Sequence, residues 1–189
     1  MAHLAQGRDG LYAVEWQPVA DLAPAGQRSW AVLEQHRAPD VTGALREQRI
    51  PVHIFPDLAA LVAADPNAED VVVAALPPAG DDLHGRLWSL VELLRTWVMT
   101  ERSPDSRLLV VTERAVATAP GDDVDPDATA VWGLVRSVQS EQPDRIVLVD
   151  TDGRPESLAA LPVVVATGGD QLAVRAGVPH TARLVRDPG

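Results

Sequence analysis

Val71-Val-Val-Ala-Ala-Leu76 indicates the type of sheet in this chain, because six consecutive apolar residues leave no polar face. A strand with one face in water alternates apolar and polar side chains, whereas a parallel strand buried on both faces is a continuous apolar run. Pro77-Pro78 closes the run. The stretch therefore predicts a strand of a parallel sheet that is covered on both sides.

The segments that follow this strand predict two long helices and a second buried strand. The first helix is predicted from Asp81 to Arg102, where apolar residues recur at three- and four-residue spacings. Ser106–Thr112 is again mostly apolar and predicts the strand. Asp125 can cap the second helix, which has Pro126 at its first position and is predicted to run to about Glu141.

Shorter periodic segments complete an alternation of strands and helices. Further strands are predicted at Leu11–Trp16, Trp30–Leu33, Pro51–Phe55 and Arg145–Asp150, with a closing hairpin of Gln171–Arg175 and Thr181–Val185. Short helices are predicted at Thr42–Arg49, Leu58–Ala64 and Pro155–Ala166, although Val163–Ala166 also fits a strand. This succession predicts an α/β fold in which an open, mostly parallel sheet carries helices on both faces.

The composition excludes several kinds of chemistry. All sixteen basic residues are Arg, so mechanisms that need a catalytic lysine are excluded on this chain. There is no cysteine, which excludes disulfides and thiolate chemistry and makes a cytoplasmic location the default expectation. A formal charge of −11 argues against nucleic-acid and anionic-membrane partners. No apolar run approaches the ~20 residues that span a bilayer.

Motifs for a cofactor, a metal or a nucleophile are also absent from the sequence. The strand-to-helix junctions Glu34–Asp40, Pro77–Gly80 and Thr112–Val116 lack the G-x-G-x-x-G spacing of a dinucleotide site. The five histidines show no H-E-x-x-H spacing, and no G-x-S-x-G is present. Ser137 and Ser140 lie on polar helix faces and are not predicted to be nucleophiles. No catalytic, cofactor-binding or metal-binding residue is therefore predicted.

Tryptophan is the one unusual residue type, since the chain has five Trp but one Tyr and one Phe. Trp88 and Trp97 lie nine residues apart on the long helix and do not share one stripe. We predict that one of them faces the core and the other a neighbouring surface.

The segment Ala130-Val-Trp-Gly-Leu-Val-Arg-Ser-Val-Gln-Ser-Glu141, followed by Pro143–Asp150, resembles the structural subdomain of ketoreductase domains in modular type I polyketide synthases. The opening Leu11-Tyr-x-Val-x-Trp16-x-Pro18 is similar to the start of such subdomains. The segments Leu108–Thr112, Ser157–Pro162 and Gln171–Arg175 match as well. The resemblance covers nearly all of residues 10–186, which leaves residues 1–9 and 187–189 as expected linkers.

This resemblance implies a truncated Rossmann-like fold, similar to a short-chain dehydrogenase, that has lost cofactor binding. In the family, a second, catalytic subdomain carries the NADPH loop and the Ser, Tyr and Lys that reduce a β-ketoacyl group on acyl carrier protein. The implied function is a non-catalytic scaffold. Its partners would be that catalytic subdomain and neighbouring synthase domains, including an enoylreductase where one is inserted.

Four residues are predicted to serve the fold or an interface: Trp16, Trp132, Arg136 and Glu141. The alternative for the last three is that Trp132 belongs to the core and that Arg136 and Glu141 form a solvated face. Two alternative functions also stay open: a stand-alone NAD(P)-binding enzyme with an unrecognised site, and a vestigial remnant in a module that does not reduce.

Overall fold

The computed structural model describes residues 11–36, 40–67, 69–76 and 82–186. Its strands are β1 (Tyr12–Pro18), β2 (Trp30–Leu33), β3 (Val52–Phe55), β4 (Val71–Ala75), β5 (Arg107–Glu113), β6 (Ile146–Thr151), β7 (Gln171–Arg175) and β8 (Val178–Arg186). Its helices are α1 (Val41–Glu47), α2 (Leu58–Ala64), α3 (Leu83–Met99), α4 (Pro126–Glu141), α5 (Pro155–Ala159) and α6 (Leu161–Ala166). Glu34–His36 forms one 3-10 turn. The expected linkers 1–9 and 187–189 lie outside the described residues.

The strands form one sheet in the order β1-β8-β7-β6-β5-β4-β2-β3. The six strands from β7 to β3 are parallel to one another, and β8 and β1 are antiparallel additions at one edge. This confirms the predicted α/β fold with a mostly parallel, Rossmann-like sheet.

Helices cover the sheet on both faces, as predicted. On one face α2, α3 and α4 pack on alternate strand residues such as Val72 and Leu108. On the other face α1, α5 and α6 pack on the intervening residues, for example Val73 and Leu109. All residues of β4 are buried, which explains why its sequence shows no alternation.

Aspartate begins four of the six helices. Asp40, Asp57, Asp82 and Asp125 each accept a hydrogen bond from a backbone N–H of the first turn. Such caps satisfy donors that have no partner inside the helix. They fix where each helix leaves the carboxyl end of its preceding strand.

Several elements differ from the predicted boundaries, and α3 for example spans Leu83–Met99 instead of Asp81–Arg102. The predicted helix Pro155–Ala166 is two helices, because Pro162 lies in the first turn of α6 and a proline cannot continue a preceding helix. Val163–Ala166 is helical, so the strand alternative for it is wrong. The last strand is also longer than predicted and runs from Val178 to Arg186.

Strands β1 and β8 form an antiparallel ribbon that extends past the sheet. Their register pairs Tyr12 with Arg186 and Pro18 with His180. Pairing of β8 with β7 ends at Thr181, so the half of β8 from Ala182 to Arg186 has β1 as its only strand neighbour among the described residues. This end of the ribbon lies beyond the amino ends of the parallel strands.

Candidate functional site

The crevice where a Rossmann fold binds its cofactor lies between β2 and β4. The chain passes from β2 outward to β3 and then crosses to β4 on the other side of β2, and ligands of doubly wound folds bind at such a reversal. Here β2 leads into the 3-10 turn, where Gln35 and the buried His36 occupy the place of a glycine-rich loop. Burial lowers the pKa of His36, which favours its neutral form.

The space beside this turn is small. Gln35 donates to Ser89 Oγ at 3.1 Å, across a cleft of about 160 Å³ whose other lining residues include Asp57 and Glu92. Sites for drug-sized ligands measure about 300–1,000 Å³. The two carboxylates would also repel a pyrophosphate. Residues 37–39 and the Pro77–Gly80 junction lie outside the described part of the chain.

The junction after β5 is held by a buried carboxylate. Asp150 on β6 is fully buried, and its Oδ1 accepts hydrogen bonds from Thr112 Oγ1 at 2.8 Å and from Ala115 N at 2.7 Å. Its Oδ2 accepts from Val116 N at 3.3 Å. Two loop amides at the carboxyl end of the sheet are therefore already bonded to a carboxylate instead of being open to an anion.

Arg175 on β7 neutralises that carboxylate. Its Nη2 lies 2.6 Å from Asp150 Oδ2 and donates to Val116 O at 2.8 Å. The same guanidinium donates from Nη1 to Asp150 O at 3.1 Å. This network links the loop between β5 and α4 to β6 and β7. Its side chains occupy the space at the carboxyl ends of these strands.

A different surface of the molecule has the features of an interface. Helices α3 and α4 lie side by side on one face of the sheet, and a groove of about 300 Å³ runs between them. The groove is mainly apolar, with lining side chains of Val91, Leu94, Arg95, Val98, Met99, Leu134, Val138 and Glu141. Next to it Trp88 is 64% exposed and Met99 77% exposed. Clustered large apolar side chains of this exposure are typical of contact surfaces.

The structure brings two of the four predicted residues together and separates the other two from them. Trp16 of β1 meets Trp132 of α4 edge-to-face, with ring centroids 6.4 Å apart, and Trp132 is buried. Arg136 and Glu141 are exposed on α4 and lie on different sides of that helix, in different clefts. Trp132 is thus part of the core, Arg136 and Glu141 are exposed on separate sides of α4, and a contact role for these two residues stays a prediction.

For Trp88 and Trp97 the part of the prediction that places one of them in the core is confirmed, and a neighbouring surface for the other stays a prediction. Trp97 is fully buried and Trp88 is exposed on the same helix. Sequence reasoning did not single out Val91 and Met99 or the exposed ribbon residues Val14 and Leu184. Val91 and Met99 follow Trp88 by three and eleven residues in the sequence. On a helix these spacings place all three side chains on one side, so the spacing could have indicated this exposed surface.

The described residues offer no metal centre and no membrane span. No group of three or more His, Asp or Glu side chains is found among them in a ligating arrangement. His53 pairs with the buried Glu69 by a hydrogen bond. Ser137 and Ser140 donate to the helix carbonyls of Gly133 and Ser137. No helix in the described ranges is long and apolar enough to cross a bilayer.

Curated relatives of the chain are polyketide synthases. Polyketide synthase GfsB of Streptomyces halstedii is 42% identical over 98% of this chain and 3% of that synthase. Spectinabilin polyketide synthase system protein NorA of Streptomyces orinoci is 39% identical over 99% of this chain and 10% of that protein. The chain therefore spans a small part of the relatives that it matches.

Two solved structures that are similar to the chain are ketoreductases. A ketoreductase from the first module of phoslactomycin biosynthesis in Streptomyces sp. HK803 superposes with a TM-score of 0.66 at 28% identity, over 94% of this chain and 38% of that chain. A C2-type ketoreductase from a modular polyketide synthase gives a TM-score of 0.70 at 25% identity, over 93% of this chain and 43% of that chain.

A family model agrees with both comparisons. Residues 14–184 match the family described as "Polyketide synthase extender module SpnB, Rossmann fold domain". The chain belongs to this family of Rossmann-fold domains of modular polyketide synthases, and it is related to their ketoreductases.

Proposed function

We propose that this domain is a non-catalytic scaffold that binds and positions a companion catalytic half of a ketoreductase. The observation that carries the proposal is the exposed apolar surface of α3 and α4 around Trp88 and Met99. Leaving this surface in water is unfavourable, at roughly 25 cal/mol per Å² of apolar area. A partner that covers the surface removes that cost.

The chemistry of the chain supports a non-catalytic role. It has no lysine, and its only tyrosine, Tyr12, lies on the edge strand β1, far along the sheet from the crevice between β2 and β4. The loop amides after β5 are bonded to Asp150. In this proposal NADPH binds to the companion half, where a β-ketoacyl group on acyl carrier protein is reduced.

The proportions of the solved ketoreductases support the choice of partner. This chain matches 38% and 43% of two of those chains, so more than half of each ketoreductase lies outside the matching region. We propose that the corresponding part of the parent synthase packs on α3 and α4. Other synthase domains, such as an enoylreductase inserted beside it, would be neighbours of the pair.

The test is binding to the separately expressed remainder of the ketoreductase region. We expect a complex, and we expect Trp88→Ala and Met99→Ala each to raise its Kd about 10-fold or more, since buried aromatic and Met anchors dominate interfaces. Both residues are exposed in the free chain, so its free energy of unfolding should change by no more than ~0.5 kcal/mol. Isothermal titration calorimetry gives the Kd, and urea titration gives the stability.

Ile54→Ala is the matched control. Ile54 is 38% exposed on β3, the edge strand farthest from the ribbon, and its truncation should leave the Kd unchanged. If the wild-type chain and the remainder form no complex, the scaffold proposal is rejected. If they bind but Trp88→Ala binds as tightly as wild type, the partner uses another surface.

A further inference from the structure

In the described part of the chain, the ribbon ends in an edge strand that pairs on one side only. β1 pairs with β8 on one side, and among the described residues no strand lies on its other side. The pairing continues through seven successive residues without a bulge, from Tyr12 to Pro18. An antiparallel pair of this regularity presents a row of backbone donors and acceptors along its free edge.

The register identifies which backbone groups face outward. Val19 N donates to Pro179 O at 2.9 Å, so Val19 and Pro179 are a hydrogen-bonded pair. Because such pairs alternate along an antiparallel ladder, Ala13, Glu15 and Gln17 face β8 in the same way. The N–H and C=O groups of Tyr12, Val14 and Trp16 therefore point away from β8. Pro18 falls in this outward set, where its missing N–H removes nothing from the ladder.

The edge has little of the usual protection against further pairing. Natural edge strands are blunted by charged side chains, especially lysine, and by proline, bulges or short length. β1 has seven residues and no bulge, Glu15 is its one charged residue, and its proline is the last residue of the strand. Tyr12 and Val14, which have high strand propensity, lie at the unprotected end.

One face of the ribbon is apolar and exposed. Directly paired residues of a ribbon share a face, so Tyr12, Val14 and Leu184 lie on the same side as Trp16. The first three are 61%, 62% and 69% exposed. Trp16 packs on Trp132 of α4, which places this apolar face on the α3–α4 side of the sheet.

We propose that the Tyr12–Trp16 edge of β1 accepts an additional strand from the companion half of the ketoreductase. This inference rests on the proposed function and adds a second contact to it. A partner that covers α3 and α4 lies on the side to which the apolar ribbon face is turned. An extended segment from it would hydrogen-bond to the outward groups of Val14 and Trp16 and place apolar side chains beside Tyr12 and Val14, as in β-strand addition.

Amide hydrogen exchange at single-residue resolution tests the proposal directly. In the free chain we expect Ala13, Glu15 and Gln17 to exchange more slowly than Val14 and Trp16, because only the first three amides face β8. In the complex with the separately expressed remainder of the ketoreductase region, Val14 and Trp16 should exchange at least about 10-fold more slowly than in the free chain.

A proline variant tests the same point by binding. Val14→Pro removes an outward N–H and obstructs an incoming strand, but it leaves the β8 ladder intact, as Pro18 does. We expect it to raise the Kd about 10-fold relative to Val14→Ala, which removes the apolar side chain and keeps the N–H. Glu15→Pro is the opposite control, since it removes an inward donor and should destabilise the ribbon in the free chain.

The possible outcomes separate this proposal from the scaffold function. If a complex forms and depends on Trp88 while the Val14 amide stays unprotected, strand addition is wrong and the scaffold function stands. If the free chain dimerises and protects Val14, the strand partner is a second copy and the proposal is overturned. If no complex forms, both proposals are rejected.

Discussion

A single carboxylate, that of Asp150, holds the carboxyl end of the sheet together. It bonds to two loop amides and a hydroxyl, and Arg175 is its counter-charge. We expect Asp150→Ala to lower the free energy of unfolding by about 2–4 kcal/mol, because two loop amides lose their buried acceptor and the half-buried Arg175 loses its counter-charge. Urea titration with Asp150→Asn as the milder comparison measures this. A loss below ~1 kcal/mol would show that water replaces the carboxylate.

The carboxyl group of Asp170, just before β7, is expected to make the stability of the fold depend on pH. Burial first, and the nearby Asp144 second, raise the pKa of its carboxyl above the ordinary value of 3.8. Because this pKa is higher in the folded chain than in the unfolded chain, the folded chain binds the proton more tightly. The contribution of Asp170 to the free energy of unfolding is therefore fully present at low pH and is lost as pH rises through the folded-state pKa.

We therefore expect Asp170→Asn to raise Tm at pH 7 relative to wild type, and the difference to shrink as pH falls below 4. Asp144→Asn removes the like charge and should give a smaller shift of the same sign, since Asn tolerates the positive φ of 63° at that position. Thermal unfolding followed by circular dichroism from pH 3 to 7 measures both. A Tm difference that is independent of pH would contradict this account.

Among the helices, α4 has a glycine in its middle, Gly133, that no contact within the domain requires. Gly133 is exposed in mid-helix, and a Cβ added there would meet nothing within 4 Å. Gly→Ala at an exposed helix position stabilises by about 1 kcal/mol. A bare backbone there lets a partner approach α4 closely.

We predict that Gly133→Ala stabilises the free chain by about 1 kcal/mol and weakens binding of the companion half. Ser137→Ala, one turn further along, is the matched control and should alter both quantities less. Urea titration and calorimetry measure the two effects on the same samples. If Gly133→Ala binds as tightly as wild type, the partner does not approach the helix at this point.

The elements differ in how well the sequence predicts them. β4 and α3 were predictable because their burial patterns are local: a continuous apolar run and a three-to-four spacing. The full length of β8 was not, since residues such as Arg183 and Leu184 are exposed and carry no burial pattern. Their strand conformation depends on pairing with β1, more than 160 residues earlier in the chain. The break between α5 and α6 could have been predicted from Pro162.

At the scale of the whole molecule, the fold and the family resemblance were predictable, and the contact surface was not. The absence of lysine and of a glycine-rich loop could be seen in the sequence. The α3–α4 groove requires two helices that are separated by β5 and a long loop to lie side by side. Trp16 packs against Trp132, and the position of Trp16 is fixed by the long-range pairing of β1 with β8. The sequence alone therefore could not show whether Trp132 lies in the core or at a contact surface.

The ribbon also determines how the domain responds to mechanical load. Tyr12 and Arg186 are paired at its open end, so polypeptide on either side of the domain pulls on two adjacent strands at the same point. Such a pull separates the backbone pairs one after another toward Pro18, instead of breaking them all together as a shearing load would. A load applied at Tyr12 and Arg186 would thus open the ribbon first and leave the buried parallel strands paired. Under such a load the ribbon would yield before the buried sheet, because its outer half is held by the pairing of β1 with β8.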